Sequence, residues 1–280
     1  MVKSPVLELA VRIIVIGVGL FVVSACGGAP GPSSNSGPKP PTGIPGPPTA
    51  TPTPTAEPSA TPQPDLAADL MAYYPFSGNA NDLSGNGNHG IVRGASLTAD
   101  RFGQPDSAYR FDGQDDYIEV ADSSPLDLTF GATLSAWLFY ELQPTQDFYT
   151  ILEKSDPERD GHSRYGMWLK NDLAEFCVQP ADLTLPQRCL DSEITLEPQQ
   201  WHHLAGVSDG ETLRIYVDGA LAGERSFSSS AISQNSFELF LGTDLYSGQI
   251  IYIRGAIDDI RIYKRALADG EIRLLFEGEN

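Results

Sequence analysis

The chain has 280 residues, a formal net charge of −19 at pH 7 and an isoelectric point near 4.4. Three of its 18 basic and three of its 37 acidic residues precede residue 66, so the whole net charge lies in the rest of the chain. Because so acidic a surface repels a phosphate backbone, this balance excludes nucleic acid as a partner.

The first 25 residues have the layout of a secretory signal. Basic residues flank the start of an unbroken run of eleven apolar or glycine residues at 13–23, which is shorter than the ~20 residues needed to span a bilayer. The run ends in Val23-Ser24-Ala25-Cys26, which resembles the lipobox of bacterial lipoproteins. The resemblance implies cleavage before Cys26 and a lipid on that cysteine, whereas the alternative is an ordinary signal peptide with an incidental cysteine. We therefore expect an exported protein, anchored by lipid alone to the bacterial cell membrane or cell surface.

Residues 26–65 have the composition of a tether. Thirteen prolines lie between positions 29 and 64, and Thr, Ser, Ala and Gly fill most of the gaps. Such a segment cannot bury enough apolar surface to fold, and proline-rich chain prefers an extended, stiff form. We predict a disordered linker that holds residues 66–280 away from the membrane.

Residues 66–280 have the pattern of one all-β domain. Short runs of β-branched and aromatic residues alternate with turns, and Asp218-Gly219 indicates a tight hairpin because both residues tolerate positive φ. Only residues 269–276 look helical. Many strands with almost no helix predict antiparallel sheets packed face to face. The clearest strands are 133–140, 165–170, 202–208, 212–217 and 237–242.

Six segments together resemble the LamG-like jelly-roll domain of the concanavalin A-like lectin/glucanase superfamily, and they occur in the family's order. They are 73–90 (YYPFSGNANDLSGNGNHG), 109–120 (YRFDGQDDYIEV), 133–137 (TLSAW), 201–206 (WHHLAG), 215–219 (IYVDG) and 255–267 (GAIDDIRIYKRAL). The resemblance implies a two-sheet antiparallel jelly-roll β-sandwich in which the first and last strands are adjacent.

The last of these segments carries an acidic residue where a core residue is expected. From Asp258 onward the chain alternates, which predicts a strand with Asp258, Ile260 and Ile262 on its buried face. A carboxylate directed toward a core is costly unless something neutralises it. A cation, an arginine or several backbone N–H groups would do so.

The resemblance suggests a calcium ion as that partner. Many members of the superfamily hold one where an oxygen-rich loop meets the last strand, and calcium prefers carboxylate, amide and carbonyl oxygens. We therefore predict a structural Ca²⁺ bound by Asp82 and Asp258, with Asn79 and Asn88 as further ligands. The alternative is that Asn and Gly only form turns here, and that Asp258 caps backbone N–H groups.

The remaining cysteines are an even pair in an exported domain. Cys177 and Cys189 lie in two segments that look like strands flanking a loop, so we predict a disulfide between them. Two separate thiols are the alternative.

The sequence shows no catalytic motif. Glucanases of the superfamily place their carboxylates on one strand as Glu-x-Asp-x-x-Glu or close to it, and no such spacing falls on a predicted strand. His202 and His203 are adjacent, so their side chains diverge on a strand. We expect a non-enzyme, with a glycoside hydrolase assembled from carboxylates of different strands as the less favoured alternative.

Aromatic residues in or beside loops are the candidates for ligand contact. A sugar has an apolar face and a polar rim, so its sites combine aromatic rings with hydrogen-bonding groups. Trp137, Trp168 and Trp201 lie in or at strands, and we assign them to the core. We predict a surface binding module that recognises extracellular glycan or, as the alternative, an adhesion or scaffold module with a protein partner. The predicted ligand-binding residues are Phe148, Tyr149, Tyr165 and Tyr246.

Overall fold

The computed structural model describes residues 37, 64–142, 148–155, 163–244 and 251–278. Contacts divide the chain into two units, Met1–Ser59 and Ala60–Asn280, and all the secondary structure discussed below lies in the second. The predicted signal and linker, Cys26 and Tyr246 lie outside the described residues. Within the described ranges, no helix is long and apolar enough to cross a membrane.

The described part of the domain contains seventeen strands, one 3-10 turn at Ser124–Leu126 and one α-helix, α1 (Asp269–Glu277). The first nine strands are β1 (Leu70–Tyr74), β2 (Gly90–Arg93), β3 (Ser96–Thr98), β4 (Ala108–Asp112), β5 (Tyr117–Val120), β6 (Ala132–Tyr140), β7 (Phe148–Lys154), β8 (Tyr165–Lys170) and β9 (Leu173–Val178). The others are β10 (Arg188–Thr195), β11 (Trp201–Ser208), β12 (Thr212–Val217), β13 (Ala220–Ser226), β14 (Leu239–Leu241), β15 (Thr243–Asp244), β16 (Ile251–Tyr252) and β17 (Arg254–Tyr263).

These strands form two large antiparallel sheets. One has eight strands in the order β13-β12-β11-β6-β17-β4-β3, with β1 also paired to β17, and the other has seven in the order β10-β9-β8-β7-β14-β5-β2. The short strands β15 and β16 form a separate hairpin. The all-β, two-sheet sandwich is thus confirmed, and the first and last strands are neighbours as the resemblance implied.

The core lies between the two sheets. Alternate residues of facing strands enter it, among them Leu134 and Ile260 from the first sheet and Leu152 and Met167 from the second. The sheets approach closely at Gly206 of β11, where an added Cβ would lie 2.3 Å from the Phe176 ring. A side chain at this position would force the sheets apart, which is why glycine is required there.

A β-bulge in β17 changes the predicted direction of Asp258. The pairing of β17 with β6 shifts between Asp258 and Arg261, and Asp259 has a φ of +49°. The bulge adds one residue, so Ile257 and Ile260 both reach the core while Asp258 lies opposite Trp137 on the outer face. The prediction that Asp258 shares a face with Ile260 was therefore wrong, although its side chain is buried.

The helix α1 covers part of that outer face, close to its predicted bounds. Ile272 and Leu275 pack against Tyr216 and Tyr263 in a second, smaller apolar cluster. Phe276 stacks on Trp137 with ring centroids 5.7 Å apart. The outer face of the eight-stranded sheet is thus partly shielded from water by the C-terminal helix.

The predicted disulfide is present. Cys177 of β9 and Cys189 of β10 are directly opposite each other and are bonded across a sequence separation of 12. The bridge ties β10, the edge strand of the seven-stranded sheet, to its only neighbour in that sheet's order.

Replacing both cysteines by serine should lower the free energy of unfolding by about 3 kcal/mol, because the bridge removes loop-closure entropy from the unfolded chain. Urea unfolding of the double variant measures the loss. Dithiothreitol should destabilise the parent protein by a similar amount and leave the variant unchanged. Equal stability of the parent with and without reductant would contradict the prediction.

Candidate functional site

A cavity of about 270 Å³ opens on the outer face of the seven-stranded sheet. The lining residues on β7, β8 and β9 alternate with residues that point into the core. Strand alternation therefore directs their side chains outward. We call it the Trp168 cavity. It is lined by Phe148, Glu153, Ser163, Trp168, Glu175, Gln187, Asp244 and the Cys177–Cys189 bridge.

Two aromatic rings form its floor and one wall. Gly166 precedes Trp168 by two residues on β8, and a Cβ there would lie 2.4 Å from the indole, so the missing side chain lets the ring lie flat along the strand. The Phe148 ring lies 6.4 Å from the Trp168 ring at an interplanar angle of 31°. Trp168 is only 4% exposed, whereas Phe148 is half-buried. Phe148 is therefore the ring that the cavity offers to a ligand.

The buried Glu153 carboxyl group is held at the centre of the cavity. Its oxygens accept hydrogen bonds from the Ser155 hydroxyl, from the Ser163 hydroxyl at 3.1 Å and from Trp168 Nε1 at 3.1 Å. Burial and then the neighbouring Asp244 charge raise the pKa of Glu153 well above its usual value, against the two serine bonds, which lower it. Burial and the nearby carboxylate thus both disfavour a negative charge on Glu153.

A second acidic group borders the cavity on β9. Glu175 lies directly opposite Trp168 on one side and Asp191 on the other. Burial raises the pKa of Glu175, and Lys170, 3.6 Å away, acts in the opposite direction. Among the described residues, the rim of the cavity is therefore acidic, and the exposed cation beside Glu175 is Lys170.

Aromatic surface and convergent polar groups are the combination that sugar recognition requires. The apolar face of a pyranose ring packs on an aromatic ring, and its hydroxyl groups hydrogen-bond to carboxyl and amide groups around it. Phe148 on β7, Glu175 on β9 and Gln187 just before β10 provide those groups. The cavity can bind a polar ring compound without any covalent chemistry.

The predicted ligand-binding residues lie in different parts of the structure. Phe148 lines the cavity. Tyr149 and Tyr165 are instead buried in the core. The prediction that these two aromatic residues contact a ligand was therefore wrong. The Tyr165 hydroxyl donates to the Leu126 carbonyl at 2.9 Å, and Tyr149 packs against Tyr140 with centroids 6.0 Å apart. Tyr149 is the second residue of β7 and Tyr165 is the first residue of β8, and alternation directs both inward.

Asp258 has an arginine as its partner. Arg101 Nη1 donates to Asp258 at 2.7 Å, and Arg101 Nη2 lies 2.7 Å from Asp259. Burial and the Asp259 charge raise the pKa of Asp258 to about 7, whereas Arg101 acts to lower it. Of the three kinds of partner that the sequence left open, the structure contains the arginine and one backbone N–H group, since the Asp259 N–H donates to Asp258 at 2.7 Å.

The other predicted calcium ligands already accept protein donors. The Asp82 carboxylate accepts the backbone N–H groups of Tyr73, Ser84 and Asn88 at 2.8–2.9 Å and also the Ser84 hydroxyl. The Asn79 side-chain oxygen accepts the Asn81 N–H at 2.8 Å. These bonds fit turn formation, which is the alternative to calcium that the sequence left open. A separate acidic group, Asp112, Asp115 and Asp116, brings three carboxylates within 4.8 Å of one another.

Calcium therefore stays a prediction of the sequence, and chelation tests it. When the free ion concentration is 100 times the dissociation constant, binding stabilises the folded protein by ~2.7 kcal/mol. For a domain of this size that corresponds to a rise of about 5–10 °C in the melting temperature. If calcium is bound, chelator should lower the melting temperature by about that amount. Added calcium should restore it, and added magnesium should not. An unchanged melting temperature would contradict it.

The Glu153 carboxyl group should make stability depend on pH. Because its pKa is raised in the folded protein, its contribution is complete below the unfolded value of about 4.5 and is lost as pH rises toward the folded value. In the parent protein the free energy of unfolding should therefore fall with rising pH, by at most about 1.4 kcal/mol per pH unit. Glu153→Gln should remove this pH dependence. Urea unfolding from pH 4 to 9 measures it, with Glu193→Gln on the exposed end of β10 as the control. Parallel curves for parent and Glu153→Gln would contradict the assignment.

A model of the concanavalin A-like lectin/glucanases superfamily, of the laminin G type, matches residues 112–273, which is more than half of the chain. No curated protein matches the chain.

Several solved structures resemble the domain at identities that show the fold alone. The binding domain of Paraclostridial Mosquitocidal Protein 1 aligns with a TM-score of 0.60 and 19% identity over 76% of this chain, which spans 52% of that one. Domain 4 of AbnA, an extracellular arabinanase from Geobacillus stearothermophilus, in complex with arabinotriose, aligns with a TM-score of 0.56 and 20% identity over 74% of this chain and 98% of that one. The ligand-binding domain of botulinum neurotoxin serotype D with N-acetylneuraminic acid aligns with a TM-score of 0.56 and 16% identity over 76% of this chain and 52% of that one.

Proposed function

Because the chain belongs to the concanavalin A-like lectin/glucanases superfamily, we propose that it is a non-catalytic module that binds extracellular glycan in the Trp168 cavity. The observation that carries the proposal is the half-buried Phe148 ring beside the carboxyl and amide groups of Glu175 and Gln187. An aromatic ring and polar groups fixed on a rigid sheet can orient a sugar without a large conformational change.

The similar folds support a glycan in preference to other ligands. The AbnA domain was solved with arabinotriose and the neurotoxin domain with N-acetylneuraminic acid. Both are binding modules of the same sandwich architecture, and the sugar class of this chain's ligand is set by its own cavity. A protein partner is the alternative that an absence of glycan binding would favour.

Glycoside hydrolysis is the second candidate, since the fold brings carboxyl groups from β7, β9 and β15 to one cavity. Catalytic pairs lie about 5–5.5 Å apart in retaining enzymes and further apart in inverting ones. These carboxyl groups come from three different strands, so the described cavity lacks the Glu-x-Asp-x-x-Glu arrangement on one strand that superfamily glucanases use. We therefore favour binding without hydrolysis.

The proposed setting is the bacterial cell surface. A lipid on Cys26 would hold the chain at the membrane, and the proline-rich linker would extend the binding domain from it. Mass spectrometry of the membrane fraction tests this point: a diacylated or triacylated N-terminal Cys26 is expected, and an unmodified residue would contradict it.

A glycan array with the full-length protein tests the proposed function. We expect saturable binding to a defined set of oligosaccharides, with no release of shorter sugars over hours. If the folded protein binds no glycan on the array, the glycan proposal is overturned. Release of shorter sugars would instead favour hydrolysis.

A further inference from the structure

A cavity of about 300 Å³ opens on the outer face of the eight-stranded sheet, beside the end of α1. Its walls come from β1, from the turn between β3 and β4, from β17 and from the last turn of α1. We call it the Arg261 cavity. It belongs to the other sheet from the Trp168 cavity. Its lining residues include Tyr73, Arg101, Phe102, Asp259, Arg261 and Glu277.

The Arg261 guanidinium lies at the wall of this cavity with its hydrogen-bonding edge unused. Tyr73 and Arg261 are directly opposite each other on β1 and β17, and both alternate with core residues, so both point outward. The guanidinium carbon lies 4.2 Å from the centre of the Tyr73 ring. The side chain is 13% exposed, and its contact with Asp259 Oδ1, at 3.8 Å, is too long for a hydrogen bond. Within the described ranges, the guanidinium donates no hydrogen bond.

Two buried donors next to the cavity also have no acceptor. Arg101 is 9% exposed and uses Nη1 and Nη2 on Asp258 and Asp259, but its Nε has no hydrogen-bond partner in the described chain. Nε1 of Trp137, whose ring centre lies 4.5 Å from the Arg101 guanidinium, has none there either. Buried polar groups are normally matched by protein, water or ligand. The surplus around the Arg261 cavity is one of donors, so the matching ligand group is an acceptor.

The carboxylates that line the cavity leave Arg261 available. Asp259 accepts the Tyr73 hydroxyl at 3.1 Å, and Arg101 Nη2 lies 2.7 Å from it. Glu277 is exposed at the end of α1, where water and salt screen its charge. Both carboxylates would still repel an anion in proportion to its charge. A singly charged acceptor therefore fits better than a doubly charged phosphate.

We propose that the Arg261 cavity binds a ring compound that carries a carboxylate. The oxygens of a carboxylate lie in one plane and match the N–H fork of arginine. The Phe102 ring, 70% exposed at the cavity, offers an apolar face to the ring of the ligand. A cavity of about 300 Å³ is at the small end of ligand sites and accommodates one such ring. A free aromatic acid and a hexuronate unit both present this chemistry.

Titrations of the full-length protein followed by its amide and indole N–H resonances test the proposal. The probes are two acids and their neutral counterparts: benzoate with benzamide, and methyl glucuronide with methyl glucoside. Near neutral pH we expect an acid to bind saturably and at least about fivefold more tightly than its counterpart. The amides of Phe102 and Arg261 and the indole of Trp137 should shift, and the indole of Trp168 should not. Binding of benzoate alone identifies a free aromatic acid, and binding of the glucuronide alone identifies a hexuronate.

Variants at Arg261 provide the matched comparison. Arg261→Met keeps an apolar stem beside Tyr73 and removes the fork, so the preference for the acid should fall below about twofold. Arg261→Lys keeps the charge without the fork and should retain only part of the preference. Arg93→Met removes the same charge from an exposed site on β2 and should retain all of it. Circular dichroism establishes that each variant is folded.

Three results would overturn the proposal. The first is equal affinity of each acid and its neutral counterpart, including no binding of either. The second is an unchanged preference for the acid in folded Arg261→Met. The third is a saturable shift confined to the Trp168 indole, because the acid would then occupy the other cavity. Glycan binding in the Trp168 cavity is a separate property, so its failure would leave the carboxylate site standing.

Discussion

Replacing Arg101 by methionine should lower the free energy of unfolding by about 3–5 kcal/mol, because it leaves the buried Asp258 carboxylate without its cation. The Arg101 side chain is 9% exposed and lies 2.7 Å from both Asp258 and Asp259. Its guanidinium also lies 4.4 Å and 4.5 Å from the ring centres of Phe102 and Trp137. The substitution keeps most of the apolar packing and removes only the charge and its hydrogen bonds.

Urea unfolding measures the loss, and Arg93→Met is the control. Arg93 pairs with Glu119 at an exposed position, and such pairs contribute about 0–1 kcal/mol. The deficit of Arg101→Met should shrink as pH falls below about 7, because a protonated Asp258 needs no cation. A loss below 1 kcal/mol that does not change with pH would contradict the assignment of Arg101 as the partner of Asp258.

Replacing Phe148 by alanine should weaken glycan binding by about tenfold, because an aromatic contact of this kind contributes ~1.5 kcal/mol beyond the area it buries. Phe148 begins β7, and its ring forms a wall of the Trp168 cavity. The floor provided by Trp168 remains in the variant. Titration with the best ligand from the glycan array gives the two dissociation constants.

Phe102→Ala is the matched control for that change. Phe102 is 70% exposed and belongs to the group around Arg101, whose partner Asp258 lies on the outer face of the other sheet. Its removal should leave glycan affinity unchanged within about twofold. A loss of affinity in Phe102→Ala and none in Phe148→Ala would place the ligand on the eight-stranded sheet and contradict the proposed site.

Strand positions were predictable because burial and alternation are local properties of a sequence. The runs at 165–170 and 212–217 coincide with β8 and β12, and the Asp218-Gly219 turn joins β12 to β13 with positive φ at both residues. The pairing of Cys177 with Cys189 was accessible for the same reason, since the two residues lie on adjacent strands.

The candidate site depends on features that local patterns do not report. The bulge at Asp259 reverses the direction of Asp258, and nothing in the alternation of its neighbours signals the extra residue. Arg101 precedes Asp258 by 157 positions, so only the fold brings them together. Tyr149 and Tyr165 follow long loops, and one residue of strand phase decides whether each ring faces solvent or core.

The positions of the lining residues Trp168 and Glu153 were also hard to predict from local sequence patterns. Trp168 lies between Met167 and Leu169, which both enter the core, and its ring could be assigned outward only from the phase of β8. Glu153 is an isolated acidic residue among apolar ones in β7, and that isolation was the one available signal. Asp244, whose charge raises the pKa of Glu153, lies 91 positions later, on a strand of two residues.

Glycan titration followed by the indole N–H resonances tests most directly whether the ligand occupies the Trp168 cavity. The chain has three tryptophans, and the Trp168 indole donates to Glu153 inside the cavity while Trp137 lies on the outer face of the other sheet. We predict that the Trp168 resonance shifts saturably with the array's best glycan and that the Trp137 resonance stays in place. A saturable shift of Trp137 with an unmoved Trp168 would contradict the proposed site.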